Sequence, residues 1–532
     1  MPDRRGFFKV SSHERQVIGA LGSIGLATLA SRVLGFVRDM VVALVFGAGP
    51  VTDAFFVAFR IPNILRRLLA EGALSTAVIP VFTEYAVNRP REELIRMLRA
   101  VLAVALLALG VATVVGVLAA PWLLAVIAPG FTDPAQRGLA VVLTRVMFPY
   151  LLLVGAAAFA MGVLNSQGRF FAAALGPAVL NVGMIVGVLV LARRVDPPIM
   201  ALALGVLLGG VGQLLVQVPG LKRLGLLVSP SRELRHPALG RVSRLLLPAV
   251  FGLAAVQVMV FVNTLLASLL PAGSISFLYY ADRVMEFPLG IFGIALASAS
   301  LPAMSRQAAA GDTRGVATTL NFALRLATYV SAPATVGLVV LSVPITRVLF
   351  ERGRFSPADT EATAVALVWY AVGLVAFAGA RIAAQAFYAI AEPGTAVKLG
   401  ALAIAANVLF AAALMRPMGH AGLAAASSLG AYVNLLALLW AARRRFGLLG
   451  GRALAASVAR TAVACVPLGA WCLLALAAYH RMDVVTTGRI AAGLTVTIVI
   501  GAGLFWVTSA LLGSSERGVL LAMVRRRGAR AA

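Results

Sequence analysis

SRVLGFVRDMVVALVFGAGPVTDAFFVAFRIPNILRRLLAEGALS, residues 31–75, reads as two apolar helices joined at GAGP, with Arg32, Arg38, Arg60, Arg66 and Arg67 inside them. A stretch this apolar enters a bilayer. There an arginine near the centre costs about 3 kcal/mol or more unless it faces a water-filled cavity or a partner. The acids nearby are Asp39, Asp53 and Glu71, with Asp53 expected near the membrane surface. Cations therefore outnumber deep carboxylates, and surplus guanidinium groups suit an anionic ligand.

The rest of the chain agrees. Of its 532 residues 61% are hydrophobic and only 12% charged, with a mean hydropathy of +0.95. A soluble domain charges roughly a quarter of its positions. The chain reads as an all-α polytopic membrane protein. Its net charge of +26 reflects arginine in the loops of one membrane face rather than a nucleic-acid footprint. No nucleic-acid partner is expected. Cys465 and Cys472 fall on one predicted helix, which argues against a disulfide or a metal site. No cleavable signal peptide is expected ahead of the first span.

Apolar runs divided by Gly, Pro and Arg give about fourteen transmembrane helices. Their expected ranges are 17–47, 53–84, 95–127, 137–164, 170–192, 198–219, 241–270, 275–306, 317–349, 360–390, 395–415, 420–442, 453–479 and 486–512. An even number puts both termini on one side. The basic segments EYAVNRPREELIRMLR, LKRLGLLVSPSRELRHPALGRVSR and ARRRFG then share that side with the two tails. The opposite loops GAGPVT, APGFTDPAQ and LPAGSIS carry almost no Lys or Arg, so the basic side is expected to be cytoplasmic. LARRVDPP and ERGRF are the exceptions on the outer side.

The chain also repeats itself. PGFTDPAQRGLAVVLTRVMFPYLLLVGAAAFA resembles RGRFSPADTEATAVALVWYAVGLVAFAGA about 224 residues on. DAFFVAF…ALSTAVIPVFTEY parallels ISFLYYADRVMEF…ASASLPAMSR, with Pro80 matching Pro302. The expected organisation is a cytoplasmic tail (1–16), a six-helix lobe (17–219), a basic cytoplasmic linker (220–240) and a second, parallel six-helix lobe (241–446). Two extra helices (447–513) and a basic tail (514–532) follow. Parallel repeats of this kind suit a transporter whose halves rock about a central site.

On the first helix Arg32 and Asp39 share a face with Gly35 between them, so an Arg32–Asp39 ion pair is expected and Gly35 is a candidate hinge. On the second, Arg60, Asn63, Arg67 and Glu71 follow one stripe at helical spacing. Arg67 is expected to pair with Glu71, and Arg66 to project beside the stripe. Pro62 removes a backbone hydrogen bond and is a second candidate hinge. Arg38 and Arg66 are the arginines left for a cavity-facing role. The second half answers with YYADRVMEFPLG. Asp282 and Glu286 share a face, Arg283 lies beside them, Pro288 softens the following turn, and an Arg283–Glu286 pair is the structural alternative. By the repeat this segment takes the place of residues 60–66, so the charged hairpins are expected to meet across a cavity.

Single amides within spans (Asn181, Gln213, Gln217, Gln257, Asn263, Gln385, Asn407) are expected to bridge neighbouring helices. His236, His420 and His480 are expected in loops and His13 in the tail, so no proton relay or metal site is expected. No Walker motif or nucleophile elbow is present. A polytopic enzyme would place acids or histidines in sizeable outer loops, and these loops are short and poor in both. The chain is expected to be a transporter, not an enzyme, with no cofactor.

SRVLGFVRD, FGAGPVTDAFFVAFRIPN and LRRLLAEGALSTAVIPVFTEY resemble the opening of the MurJ (MviN) lipid II flippases. YYADRVMEFPLGIFGIALASASLPAMSR resembles that family's seventh–eighth helix region, and the similarity spans residues 17–446. The family lies in the MOP superfamily with MATE drug exporters and polysaccharide flippases. The resemblance implies a MATE-like fold. It also implies movement of lipid II, the undecaprenyl-diphosphate-linked peptidoglycan precursor, from the inner to the outer leaflet of the bacterial cytoplasmic membrane for cell wall biosynthesis. By the same resemblance Arg32, Arg38, Arg66 and Arg283 match the cavity arginines that take the diphosphate. Asp39, Asp53, Glu71 and Glu286 match acidic gating or holding positions, and membrane lipid and cell-wall synthesis proteins are the implied partners. The extra helices are expected to line a groove for the lipid tail. Some members carry a sodium site lined by acids on helices 7 and 11. Here helix 7 offers Gln257 and Asn263 and helix 11 only Asn407, a departure that leaves membrane potential as the expected driving force. A flippase for another polyprenyl-diphosphate-linked glycan stays open beside this reading. A MATE-type cation-coupled exporter fits less well, because the arginines compete with any cation.

Overall fold

The structure, a computed structural model, describes residues 12–68, 74–232, 234–481 and 487–522. Among these residues every regular element is a helix. The first half comprises α1 (Ser12–Phe46), α2 (Pro50–Arg66), α3 (Leu74–Asn88), α4 (Arg91–Ile127), α5 (Pro134–Met147), α6 (Tyr150–Ser166), α7 (Phe171–Ala174), α8 (Gly176–Leu191) and α9 (Met200–Leu224). The second comprises α10 (Pro237–Ser268), α11 (Ser274–Pro288), α12 (Ile294–Ala309), α13 (Thr313–Val340), α14 (Ser342–Phe350), α15 (Pro357–Val372), α16 (Leu374–Ala389), α17 (Pro393–Met418) and α18 (His420–Phe446), followed by α19 (Gly451–Arg481) and α20 (Thr487–Leu511).

Within the described residues each expected span falls on helix, and the eighth and tenth are broken, at Leu289–Gly293 and at Gly373. Among the described residues eight helices are long and apolar enough to cross a membrane, with Pro134–Ser166 (α5 and α6) taken as one, or nine if α15 and α16, bent by 42°, form one span. On that measure α8, α11 and α12 are each too short to cross on their own. Local chemistry explains where rods start. Asp133 caps α5 by accepting from the Ala135 and Gln136 N–H groups, with Pro134 at the first helical position. Ser356 caps α15 through a reciprocal capping box with Asp359, with Pro357 at its first position. The two starts are equivalent in the repeat.

The chain divides into two compact units, one of residues 1–46 and 50–265, the other of 47–49 and 266–532. Most of α10 thus counts with the first unit, whereas the repeat places it at the head of the second copy. Within the first unit α2 packs on α5, α3 on α6, α4 on α5 and α6, and α9 on α6 and α8. Within the second, α11 packs on α15, α12 on α16, α13 on α15 and α16, and α18 on α16 and α17. The same pairs recur, as a duplicated six-helix unit requires. The linker is fastened to the first unit. His236 meets Glu93 at 3.2 Å, Arg91 donates to the Leu224 carbonyl at 2.8 Å, and Arg241 reaches Glu84 at 2.7 Å.

α19 and α20 pack on α13 and α14 around Tyr329, Cys465, Leu468, Cys472, Leu494 and Phe505. The two cysteines are free and buried. Past the end of α20, Glu516 is buried and accepts from Arg325 Nε at 2.6 Å and Ser457 Oγ at 2.8 Å. Burial raises its carboxyl pKa. Its own backbone N–H, Ser457 and Arg325 lower it more, and the net pKa lies below the ordinary value. A depressed folded pKa means this carboxylate stabilises fully above its ordinary value of 4.5 and loses that contribution as pH falls through the lower folded value. The wild-type advantage in thermal unfolding over Glu516→Gln should therefore be greatest at pH 7 and shrink below pH 4.5. An advantage that grows on acidification would refute the sign.

Candidate functional site

In the first unit α1 carries Arg38 and Asp39, both buried, Asp39 at 1% exposure. Arg38 Nε and Nη2 both donate to Asp39 Oδ1, at 2.9 and 2.6 Å. Its Nη1 donates to Asn181 Oδ1 on α8 at 3.0 Å. Asn181 Nδ2 in turn donates to the Ser31 carbonyl at 3.1 Å, so one amide ties α8 to α1 and orients the guanidinium. Gly35 lies in unbroken α1, where a Cβ would come within 3.3 Å of Asn181 Nδ2. The expected Arg32–Asp39 pair is corrected. Asp39 is taken by its neighbour Arg38, while Arg32 is exposed and makes no ion pair among the described residues. Two turns of helix separate Arg32 from Asp39 by about 10 Å along the axis, too far for direct contact without both side chains bending together.

On α2 Asp53 is buried in the first turn, where the helix dipole favours a negative charge. The helix runs on through Pro62, which is buried. Arg60 and Arg66 are half-buried, and Arg66 Nε donates to Asn63 Oδ1 at 3.0 Å. Arg67, exposed, opens a π turn with Leu68. That turn departs from the α-helical spacing on which the stripe from Arg60 was drawn. Glu71, and with it the expected Arg67–Glu71 pair, lies outside the described residues.

In the second unit α11 presents Asp282 and Arg283, both half-buried, and an exposed Glu286. Arg283 Nη1 donates to Glu286 Oε2 at 2.7 Å and Nη2 to Tyr279 Oη at 3.3 Å, with the guanidinium 5.0 Å from the Tyr279 ring centre. Pro288 closes α11 and a π turn follows at Leu289–Gly293. The two π turns occupy matching places in the repeat, each directly after the charged segment. π turns recur at functional sites because they free backbone groups and re-aim side chains.

Two participants go beyond the sequence reading. Asn181 is expected only as a bridging amide, and its hold on Arg38 becomes visible only with α8 against α1. Tyr279 stands one helical turn before Arg283, a spacing already legible in YYADR. Gln213, which donates to the Gly176 carbonyl at 2.9 Å and sits 3.4 Å from Tyr150 Oη, bridges α9 to α8 and α6 as expected of such amides. Among the described residues no three His, Cys, Asp or Glu side chains gather as a metal site would need.

A duplicated fold of membrane-length apolar helices that carry guanidinium groups is the architecture of a multi-pass transporter. Solved structures place the fold. A structure described as lipid II flippase MurJ in an inward closed conformation matches with a TM-score of 0.76 at 23% identity, over 92% of this chain and 98% of that one. An inward-facing MATE-family multidrug resistance transporter of the MOP superfamily matches at 0.66 and 18%, over 79% and 95%. The family model described as lipid II flippase MurJ matches residues 42–492. A probable lipid II flippase MurJ of Vibrio cholerae is 39% identical, over 78% of this chain and 81% of its own. The lipid II flippase MurJ of Burkholderia cenocepacia is 37% identical, over 80% and 84%. The chain belongs to the lipid II flippase MurJ family.

Proposed function

We propose that this protein moves lipid II from the inner to the outer leaflet of the bacterial inner membrane by alternating access, supplying cell wall synthesis. Family membership across residues 42–492 carries the reading, and the chemistry of the charged helices supports it. The diphosphate of lipid II is a dianionic group that pairs with guanidinium forks. Arg32, Arg38 and Arg66 of the first unit and Arg283 of the second are the groups that take it during the cycle. Asp39, Asp53, Glu71, Arg67, Asp282 and Glu286 hold or release those arginines. Both termini lie in the cytoplasm, α19 and α20 line a groove for the prenyl tail, and contacts with cell-wall synthesis proteins follow from the role.

An inside-negative potential drives a multiply charged anion outward at about 2.3 kcal/mol per charge per 100 mV, so voltage alone is a sufficient source of work. Flipping in proteoliposomes should then accelerate with an imposed inside-negative potential and persist without sodium. Full speed with neither potential nor ion gradient would contradict that coupling. Depletion in cells should strand lipid II in the inner leaflet. Undiminished appearance in the outer leaflet, with no second flippase present, would sink the proposal.

A further inference from the structure

Arg145 lies within Pro134–Ser166, a stretch of 33 residues long and apolar enough to cross a membrane. It sits about 16 Å along the helix from Pro134, at about 1.5 Å per residue, and its side chain is exposed. Its neighbour α4 is the most apolar of the membrane-length helices among the described residues. Pro121 on α4 has no N–H, so the Val117 carbonyl loses its helical partner. Arg145 Nε donates to that carbonyl at 3.2 Å. This single bond fixes the guanidinium while Nη1 and Nη2 meet no acceptor among the described residues. Leu118, next to Val117, and Trp122 farther along α4 are exposed at 65% and 70%, and Val142, three residues before Arg145 on α5, at 44%.

A guanidinium anchored on one nitrogen in an apolar surface, with its fork open, calls for an anionic oxygen. We infer that Arg145 binds the phosphate of an anionic phospholipid where α4 meets α5, the acyl chains lying along Leu118 and Trp122. The charge of such a lipid is not offset by a headgroup cation, as it is in a zwitterionic lipid. The span is longer than the hydrocarbon core of about 30 Å. Arg145 lies toward its Pro134 end, so its long side chain reaches the phosphate layer by snorkelling. The inference is independent of what the protein transports.

The test compares wild type, Arg145→Gln, Arg145→Lys and Arg137→Gln in nanodiscs of phosphatidylcholine with and without phosphatidylglycerol, read by thermal unfolding and by lipid retention in native mass spectra. Wild type and Arg137→Gln should gain thermal stability from phosphatidylglycerol and retain one more such lipid than Arg145→Gln, with Arg145→Lys between. An equal gain and equal retention in Arg145→Gln overturns the site. Equal loss of stability in both lipids with retention unchanged reduces Arg145 to a cap on Val117 and also overturns it. One-for-one displacement by equimolar undecaprenyl phosphate would overturn the phospholipid assignment in favour of a prenyl phosphate.

Discussion

Alanine at Arg38, Arg66 or Arg283 is expected to abolish lipid II flipping while leaving the protein inserted in the membrane. Each hydrogen bond to a charged group contributes about 1.5–3 kcal/mol. Losing a two-pronged contact with the diphosphate therefore lowers transport by about two to four powers of ten. Lysine should leave partial activity, because an ammonium is a point charge without the planar fork. The three sites differ in their side effects. Arg38→Ala strips the fork from the buried Asp39 carboxylate, and breaking a buried pair costs about 3–5 kcal/mol. Arg38→Ala combined with Asp39→Asn should recover much of that stability but none of the transport. Leaflet distribution of lipid II and thermal unfolding, measured on the same variants, separate the two losses. Full complementation by all three alanine variants would remove these arginines from the site.

The second large effect lies in the seam between α8 and α9. A Cβ at Gly183 would stand 2.4 Å from Gly209 Cα, and one at Gly187 would stand 2.6 Å from Gly205 Cα. These are backbone atoms, so no rotamer change relieves the clash and the helices must separate along their length. Gly183→Val is expected to destabilise the first unit by about 3 kcal/mol or more, at the upper end of overpacking costs. Gly138→Ala, with nothing within 4 Å of the added carbon, should be neutral. Because α8 carries Asn181, parting the seam also frees the Arg38 guanidinium. Gly183→Val protein that still reaches the membrane should flip poorly. A Gly183→Val variant unfolding at the wild-type temperature would show that the seam tolerates a side chain.

Much of this was legible in the order of residues. Apolar runs of bilayer length dictate helices, because a backbone in lipid must satisfy its own hydrogen bonds. The similarity of 129–160 to 352–380 announced the duplicated unit, and the recurring helix pairs follow it. Asp-Pro at 133–134 and Ser-Pro at 356–357 mark helix starts through capping, which acts within one turn. The second-half pair of Arg283 with Glu286 was likewise readable, since i,i+3 neighbours on a helix meet without help from elsewhere.

The arginines of residues 31–75 mark the limit. Sequence alone determined that they are charges inside membrane helices and that they outnumber the acids nearby. Helical spacing paired Arg32 with Asp39, yet the carboxylate belongs to Arg38, because Asn181 arrives from α8 and fixes the third side of that guanidinium. A π turn opens at Arg67, where helical spacing alone had drawn an ideal helix. The clasp of Glu516 on Arg325 and Ser457 joins segments far apart in the chain. Periodicity places a charge on a face to within a turn of helix. A hydrogen bond is settled at about 3 Å, and at that scale only the packed neighbours decide which partner each arginine takes.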